Sequence, residues 1–461
     1  MSEVTMKNKR PIGFYICSLA FTLERMAYYS AKFLIFMFVA ATIATGGLGL
    51  TKPEAAIIQS NLVAFTYLAP VFGGYIADRY IGARYLIPAG LLLMSGGYYV
   101  GSMATGAAGM NLMVALVAIG TGLFKGNASA ITGKLFGNKE QLDSAFSTQY
   151  SFVNAGAFVG TTLVGLLYTG AFAKGDILGF RTCFQMSALI CVVAAVWFIF
   201  GSKFMGDAGK KPFKAGQAKE KKEKFDAAPL TKADKKRVFA IVLVSMFSVV
   251  FWVFWYLTYL AAYDFGELYI NMNVGGFKVP LSWFDSLNSF ACMALGPILG
   301  IVWFKMSKRP KGDLSLFKKL ALGLGFLGAA FLMLVFAEIS RGVGAPETAK
   351  ASLMYLFMFG VLLTIGEMCF SPLGNSFVTK YAPGKLLGVL MGVWTFATFV
   401  AGKTYGYLYA IASSYSPIQS YTVIPAILFV AALALVVFDK KLISLLGEDE
   451  EEEELEEAFN V

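Results

Sequence analysis

Twelve long apolar segments account for most of this chain. Each has about 20 or more residues with few charges, the length that an α-helix needs to cross the hydrocarbon core of a bilayer. They lie at residues 12–43, 56–78, 84–103, 111–133, 145–171, 180–201, 238–262, 282–304, 316–338, 351–377, 386–411 and 421–439. Charged residues make up 15% of the chain, whereas a soluble domain has about 25%. The pattern predicts an all-α membrane protein with twelve transmembrane helices.

The segments fall into two groups of six, separated by a polar, lysine-rich stretch. A run of nine acidic residues lies near the end of the chain, within residues 448–457. We therefore expect the following divisions: an N-terminal six-helix bundle (1–201), a basic cytoplasmic linker (202–237), a C-terminal six-helix bundle (238–441) and an acidic cytoplasmic tail (442–461). Two bundles joined in this way are typical of secondary transporters.

Lysine and arginine in the short loops predict the orientation. They are frequent before the first segment, after the last one and in every second loop, and scarce in alternate loops such as 44–55 and 104–110. Because these residues mark the cytoplasmic side, we expect both termini in the cytoplasm and the chain in the cytoplasmic (inner) membrane. The net charge of +10 is then a signal of topology, and no nucleic-acid partner is predicted.

Seven charged residues lie away from the ends of the predicted helices, where each charge costs roughly 2.5–3.5 kcal/mol. They are Glu24, Arg25, Lys32 and Lys125 in the first bundle and Asp285, Glu367 and Lys403 in the second. Such residues must pair or line water, so we expect a polar cavity between the bundles, cationic on one wall and anionic on the other. That polarity suits a zwitterion. Two alternatives remain open: structural salt bridges between the bundles, and a Lys403 that extends to the outer face.

Other chemistry is not supported by the sequence. The chain has no histidine, and its five cysteines are scattered without the spacing of a metal or redox site. No nucleophile stands beside a base and no phosphate-binding loop is present. We therefore expect no enzyme activity, no metal and no cofactor.

Six motifs occur in order at successive segments. Besides one in the first segment, they are Gly73-Gly74-Tyr-Ile-Ala-Asp78-Arg79-x-x-Gly82, Gly122-x-x-Lys125-x-Asn127, Phe146-x-x-x-Tyr150-x-x-x-Asn154-x-Gly156, Asp285-Ser286-Leu287-Asn288 and Gly366-Glu367-x-x-x-Ser371-Pro372. Together they resemble the proton-dependent oligopeptide transporter family of the major facilitator superfamily, and the resemblance covers most of the chain. It implies a two-bundle, twelve-helix fold.

The motif of the first segment resembles that family's Glu-x-x-Glu-Arg-Phe-x-Tyr-Tyr-Gly, with Glu24-Arg25 and Tyr28-Tyr29 in matching places. Phe21 replaces the first Glu, and Lys32 stands where the family has Arg. The seventh segment is uncharged where the family usually shows a Glu-Gln pair. The chain is therefore identified as an atypical member, in which the residues that couple transport to protons differ.

The resemblance and the buried charges together predict the functional residues. The expected substrate-binding residues are Tyr28, Lys32, Tyr67, Lys125, Asn154, Asn288, Glu367, Trp394 and Thr398. For proton coupling we expect Glu24, Arg25, Lys125, Glu367 and Asp285, with Glu367 dominant, and for gating Asp78 and Arg79. The polar residues among them have an alternative role in helix–helix hydrogen bonds, and Trp394 one in interior packing.

The predicted function is a proton-coupled symporter that imports di- or tripeptides, or similar zwitterions, by alternating access. Its partners would be the substrate, protons and membrane lipid, and the chain would be a monomer. An uncoupled facilitator of amino acids or other small zwitterionic or anionic solutes is the first alternative. A non-transporting sensor or scaffold, whose acidic tail recruits a basic partner, is the second.

Overall fold

The computed structural model describes residues 10–136, 139–213, 230–309, 314–371, 373–383 and 385–446. The acidic run at 448–457 and much of the expected linker lie outside these ranges. The chain divides into two compact units, Met1–Lys221 and Lys222–Val461. The exact limits of the bundles, linker and tail stay a prediction.

The described part of the N-terminal unit contains six long helices. They are α1 (Ile12–Ala40), α2 (Lys52–Arg79), α3 (Ala83–Met103), α4 (Ala107–Lys134), α5 (Lys139–Leu166) and α6 (Phe180–Gly201). Two 3₁₀ turns, Ile43–Thr45 and Ser202–Met205, follow α1 and α6, and a π-helical turn, Leu167–Ala171, ends α5.

The C-terminal unit contains eight helices and four short strands in its described part. The helices are α7 (Lys232–Tyr269), α8 (Trp283–Ser307), α9 (Leu316–Arg341), α10 (Leu353–Phe370), α11 (Leu373–Tyr381), α12 (Leu387–Ala412), α13 (Pro417–Val437) and α14 (Asp439–Ser444). The strands are β1 (Ile270–Asn271), β2 (Asn273–Val274), β3 (Phe277–Lys278) and β4 (Ala351–Ser352). β1 pairs with β4 in parallel, and β2 with β3 antiparallel.

Within the described ranges, eleven helices are long and apolar enough to cross a membrane, judged by length and composition alone. The remaining predicted segment forms α1, which is long enough with 29 residues but includes Glu24, Arg25 and Lys32. Each of the twelve predicted segments therefore corresponds to a helix. The tenth is divided between α10 and α11, whereas α8 runs through Pro297 without a break.

Small residues allow the helices of the N-terminal unit to approach closely, as expected for membrane helices. A Cβ atom added to Gly73 on α2 would lie 2.0 Å from the carbonyl oxygen of Gly122 on α4. One added to Gly156 on α5 would lie 2.2 Å from the carbonyl oxygen of Thr22 on α1. Only glycine fits at these two contacts.

The segment after α6 packs back onto the turn between α2 and α3. Arg84 donates through its backbone amide to Gly209 O (3.0 Å) and through Nη2 to Gly206 O (2.8 Å). The amide of Phe213 donates to Ala77 O at 3.2 Å. Lys210 Nζ lies 2.8 Å from Asp207 Oδ1, and this hydrogen bond lowers the pKa of the Asp207 carboxyl. Residues 202–213 therefore belong structurally to the N-terminal unit.

Candidate functional site

Glu24 and Arg25 form a buried ion pair at the middle of α1. Arg25 donates from Nε to Glu24 Oε2 and from Nη2 to Oε1, both at 2.5 Å. Glu24 is fully buried and Arg25 is 6% exposed. Consecutive residues of a helix do not normally face each other, so the guanidinium folds back along the helix to reach its neighbour. The pair satisfies two charges that would otherwise be costly here.

Aromatic side chains surround the cations on the same helix. The guanidinium carbon of Arg25 lies 4.4 Å from the centroid of the Tyr28 ring, and Lys32 Nζ lies 5.6 Å from that of Tyr29. Such contacts are worth about 0.5–2 kcal/mol each. The Tyr28 hydroxyl shares a 3.2 Å hydrogen bond with Thr66 on α2. α1 and α2 therefore hold Glu24, Arg25, Tyr28 and Lys32 in one polar cluster.

Lys125 on α4 lies beside this cluster. Its Nζ is 4.8 Å from the centroid of the Tyr67 ring on α2, and Arg25 and Glu24 both act on it electrostatically. Asn154, by contrast, donates to Tyr150 O of its own helix at 3.0 Å. The structure thus brings predicted cations and tyrosines near the ion pair, namely Tyr28, Lys32, Tyr67 and Lys125. The hydrogen bond of Asn154 lies within its own helix.

Phe21 has a structural role. It is 4% exposed and its ring meets that of Phe124 edge-on, with centroids 4.9 Å apart. Both belong to a hydrophobic cluster with Leu86, Leu91 and Phe198. The position where the family has a carboxylate is therefore filled by core packing, one turn before Glu24.

In the C-terminal unit, Glu367 on α10 accepts a hydrogen bond from Asn288 Nδ2 on α8 at 2.9 Å. The same amide nitrogen lies 3.1 Å from Thr364 Oγ1, and Asn288 Oδ1 accepts from the Tyr259 hydroxyl at 3.1 Å. Glu367 is 7% exposed. α7, α8 and α10 therefore hold this carboxylate through neutral groups.

Asp285 lies one turn before Asn288 on α8. Its Oδ2 accepts a 2.5 Å hydrogen bond from the Tyr263 hydroxyl on α7, and the carboxylate is 3% exposed. Tyr259 and Tyr263 are one turn apart, as are the two α8 residues that they contact. The structure thus joins Asn288 to Glu367 and Tyr259, and joins Asp285 to Tyr263 one turn away on the same helix.

The remaining predicted residues lie outside these contacts. Trp394 and Thr398 are one turn apart on α12, each 9% exposed, with Thr398 Oγ1 bonded to Trp394 O at 3.5 Å. Lys403 Nζ lies 5.5 Å from the centroid of the Tyr407 ring. At the end of α2, Arg79 donates to the Tyr75 hydroxyl at 3.1 Å, and Asp78 is half-buried. The gating role of Asp78 and Arg79 stays a prediction.

Several neutral residues of the site carried no signal in the sequence. Thr66, Tyr259, Tyr263 and Thr364 all bond to predicted residues. Each is compatible with an apolar segment, so nothing in its type marks it as functional. Helical periodicity relates Asp285 and Asn288 to other residues of α8, but it does not identify their partners on other helices. Within the described residues, no group of three or more His, Cys, Asp or Glu side chains could hold a metal ion.

The sequence matches the Major Facilitator Superfamily over residues 18–403. The chain belongs to the major facilitator superfamily. It is 25% identical over 476 residues to a peptide transporter of Yersinia enterocolitica, covering 92% of this chain and 91% of that one. It is 22% identical to a di-/tripeptide transporter of Lactococcus lactis, covering 92% and 94%. The relatives are transporters, not enzymes.

This superfamily member also shares its fold with solved structures. A crystal structure of a proton-dependent oligopeptide transporter in complex with 5-aminolevulinic acid superposes with a TM-score of 0.83, at 22% identity, over 94% of this chain and 97% of that one. The predicted multi-pass helical fold and the resemblance to that transporter family are confirmed. The orientation of the termini stays a prediction.

Proposed function

We propose that this chain imports di- and tripeptides together with protons by alternating access. The observation that carries the proposal is the distribution of buried charge. Among the predicted site residues, the N-terminal unit holds the cations Arg25, Lys32 and Lys125 with one carboxylate, Glu24, whereas the C-terminal unit holds the carboxylates Glu367 and Asp285. All of these are buried except Lys125, which is half-buried. A peptide is a zwitterion with a carboxylate at one end and an ammonium group at the other. The named peptide transporters among the relatives support the same substrate class.

Lys125 is the residue that we assign to the substrate carboxylate. The Tyr67 ring that it contacts is a weaker partner than a carboxylate would be. Substrate binding therefore need not break the Glu24–Arg25 pair. Lys32, on the same side of α1 as Tyr28, is a second cation for the same group.

Glu367 is assigned to the substrate ammonium and to the coupled proton. Asn288 donates to this carboxylate and lies within hydrogen-bond distance of Thr364 as well, so the carboxylate has a fixed position on α10. A carboxylate that takes up a proton no longer attracts an ammonium group. Protonation of Glu367 after the substrate has bound would therefore release the substrate ammonium, and proton and peptide would leave on the same side of the membrane. Asp285, whose partner is the Tyr263 hydroxyl, is the second candidate for the proton.

Uptake of labelled dipeptide into proteoliposomes, with and without an inward proton gradient, tests this assignment. We expect wild type to accumulate peptide only with the gradient. Glu367→Gln should abolish gradient-driven accumulation, and Glu347→Gln, an exposed carboxylate of the same unit, should not. Accumulation in Glu367→Gln equal to wild type would refute the role of Glu367. If Asp285→Asn alone loses accumulation, the proton belongs to Asp285.

An uncoupled facilitator is the second candidate function, and a specific observation favours it. Phe21, at the position of the family's first Glu, packs on Phe124, and the seventh segment is uncharged where the family usually has its Glu-Gln pair. The positions that the resemblance associates with proton coupling therefore lack a carboxylate. Substrate counterflow that equilibrates labelled peptide without a gradient, and no accumulation with one, would establish this function instead.

The proposal includes the oligomeric state, the membrane and the orientation of the chain. We place the chain as a monomer in the cytoplasmic membrane, with both termini inside and with Asp78 and Arg79 at a cytoplasmic gate. Lysines and arginines concentrate in alternate loops, which supports this orientation.

A further inference from the structure

A groove runs along the outside of the C-terminal unit between α9 and α13. Its volume is about 630 Å³, within the range of small-molecule sites. The α9 side is lined by Ala321, Gly325 and Ala329, and the α13 side by Phe429, Leu433 and Val436. None of these residues takes part in the candidate functional site.

Small residues on α9 create the concavity. A Cβ atom added to Gly325 would meet nothing within 4 Å, so the space beside it is open. One turn further along α9, a Cβ atom on Gly328 would lie 3.0 Å from the Phe429 ring. The ring therefore forms a wall against α9, and the trough continues past Gly325 toward the start of that helix.

The end of the groove near the start of α9 is basic. Lys318 lines it, and its side chain is 45% exposed with Nζ 2.9 Å from Asp439 Oδ2. Lys319 is adjacent, and Lys440 and Lys441 follow on α14, both exposed. Among the residues that the structure describes at this end, one acid, Asp439, stands against these four lysines, so their formal charge is 4 − 1 = +3. The loop charges predict that this end faces the cytoplasm.

Asp439 orients Lys318 and leaves it able to bind an anion. The carboxylate is 4% exposed and also accepts from the Ser315 hydroxyl at the cap of α9. An ammonium group has three N–H donors, of which Asp439 takes one. The other two can donate to an anion at this end of the groove, which Lys318 lines.

We propose that the groove binds one anionic glycerophospholipid, with an acyl chain between α9 and α13 and its phosphate at the lysines. An elongated apolar trough with a cationic end matches the two parts of such a lipid. Lysine binds phosphate as a point charge without demanding a fixed geometry. A second copy of the chain would leave the +3 end facing an identical +3 end if it docked about a two-fold axis at this surface.

The proposal is tested by native mass spectrometry of the purified full chain with added dioleoyl phosphatidylglycerol or dioleoyl phosphatidylcholine. Wild type should retain phosphatidylglycerol preferentially, as a one-to-one adduct. Gly325→Leu places an apolar side chain in the trough, from a Cβ position that meets nothing within 4 Å, and should lose the adduct. Gly96→Leu is the matched control, because Gly96 is exposed on α3 and its added Cβ likewise meets nothing within 4 Å; it should behave as wild type.

The charged end is tested separately with Lys440→Gln/Lys441→Gln. Each lysine near an anionic lipid is worth about fivefold in binding, so the double variant should lose most of the preference for phosphatidylglycerol. Retention of the adduct by Gly325→Leu, or equal retention of the two lipids by wild type, would overturn the proposal. So would a wild-type dimer that Gly325→Leu converts to a monomer. These readouts do not depend on peptide uptake, so they stand or fall separately from the proposed function.

Discussion

The Glu24–Arg25 pair shows how much a single residue depends on its neighbour in this fold. Both side chains are enclosed, and each contact of the Arg25 guanidinium with Glu24 is 2.5 Å long. The Tyr28 ring covers the guanidinium from one face. Removing one charge therefore leaves the other without a counterion in an environment that cannot solvate it.

We predict that Arg25→Met lowers the free energy of unfolding by about 3–5 kcal/mol, because it leaves Glu24 uncompensated. The double variant Glu24→Gln/Arg25→Met should recover much of this loss, because no buried charge remains. Thermal or denaturant unfolding in detergent measures both. A double variant whose loss equals the sum of the two single losses would show that the charges do not interact.

At this scale the sequence identifies the charged residues of the site and misses their neutral partners. Glu24, Asp285 and Glu367 are visible because a charge inside an apolar segment is costly. Asn288 was visible through its motif, but its bond to Glu367 was not. Thr66, Tyr259 and Tyr263 add little to the free energy of inserting a membrane helix, whichever side of the helix they lie on. Their role depends on which helices lie side by side, which one chain's periodicity does not determine.

At the scale of elements, the apolar segments predict the helices well and their ends less well. The third segment, predicted at 84–103, forms α3 (Ala83–Met103). The seventh, predicted at 238–262, forms the 38-residue α7 because Thr231 and Asp234 cap its polar start reciprocally. Hydropathy registers the apolar centre of such a helix and not the polar turns that continue it.

Helix packing gives a prediction for the contact between α5 and α1. Gly156→Ala places a methyl group about where the Thr22 carbonyl lies, since its Cβ would be 2.2 Å from that oxygen. The helices must separate, and overpacking of this kind costs about 1–3 kcal/mol. We expect a lower unfolding temperature and reduced uptake.

Gly96→Ala is the control for this effect, because alanine favours a helix over glycine by up to about 1 kcal/mol and no atom opposes its Cβ at this position. Its unfolding temperature should stay the same or rise. If Gly156→Ala unfolds at the wild-type temperature, α5 and α1 are not held at the distance that the structure shows.

At the scale of the molecule, the fold is a pair of helical units, each with its own buried polar group. Hydropathy predicts the number of segments and their division into two groups of six, because the bilayer imposes a fixed length on every crossing. The orientation rests on charge bias alone. It is open to direct measurement, because all five native cysteines are buried.

We predict that an impermeant thiol reagent labels Lys278→Cys from the outside of intact cells and Lys441→Cys only after permeabilisation. Both positions are exposed in the C-terminal unit, and they lie at opposite ends of its helices. Wild type is the control and should stay unlabelled. The reverse pattern would place both termini outside.

The contacts of residues 206–213 with the turn between α2 and α3 have a consequence for biosynthesis. The acceptor of Arg84 at Gly206 lies 122 residues later in the chain. Phe213, which donates to Ala77 O, lies further still from its partner. While the ribosome is still making α4, α5 and α6, this turn lacks the backbone partners that hold it. During synthesis, the N-terminal unit therefore gains these contacts only after residues 206–213 have left the ribosome.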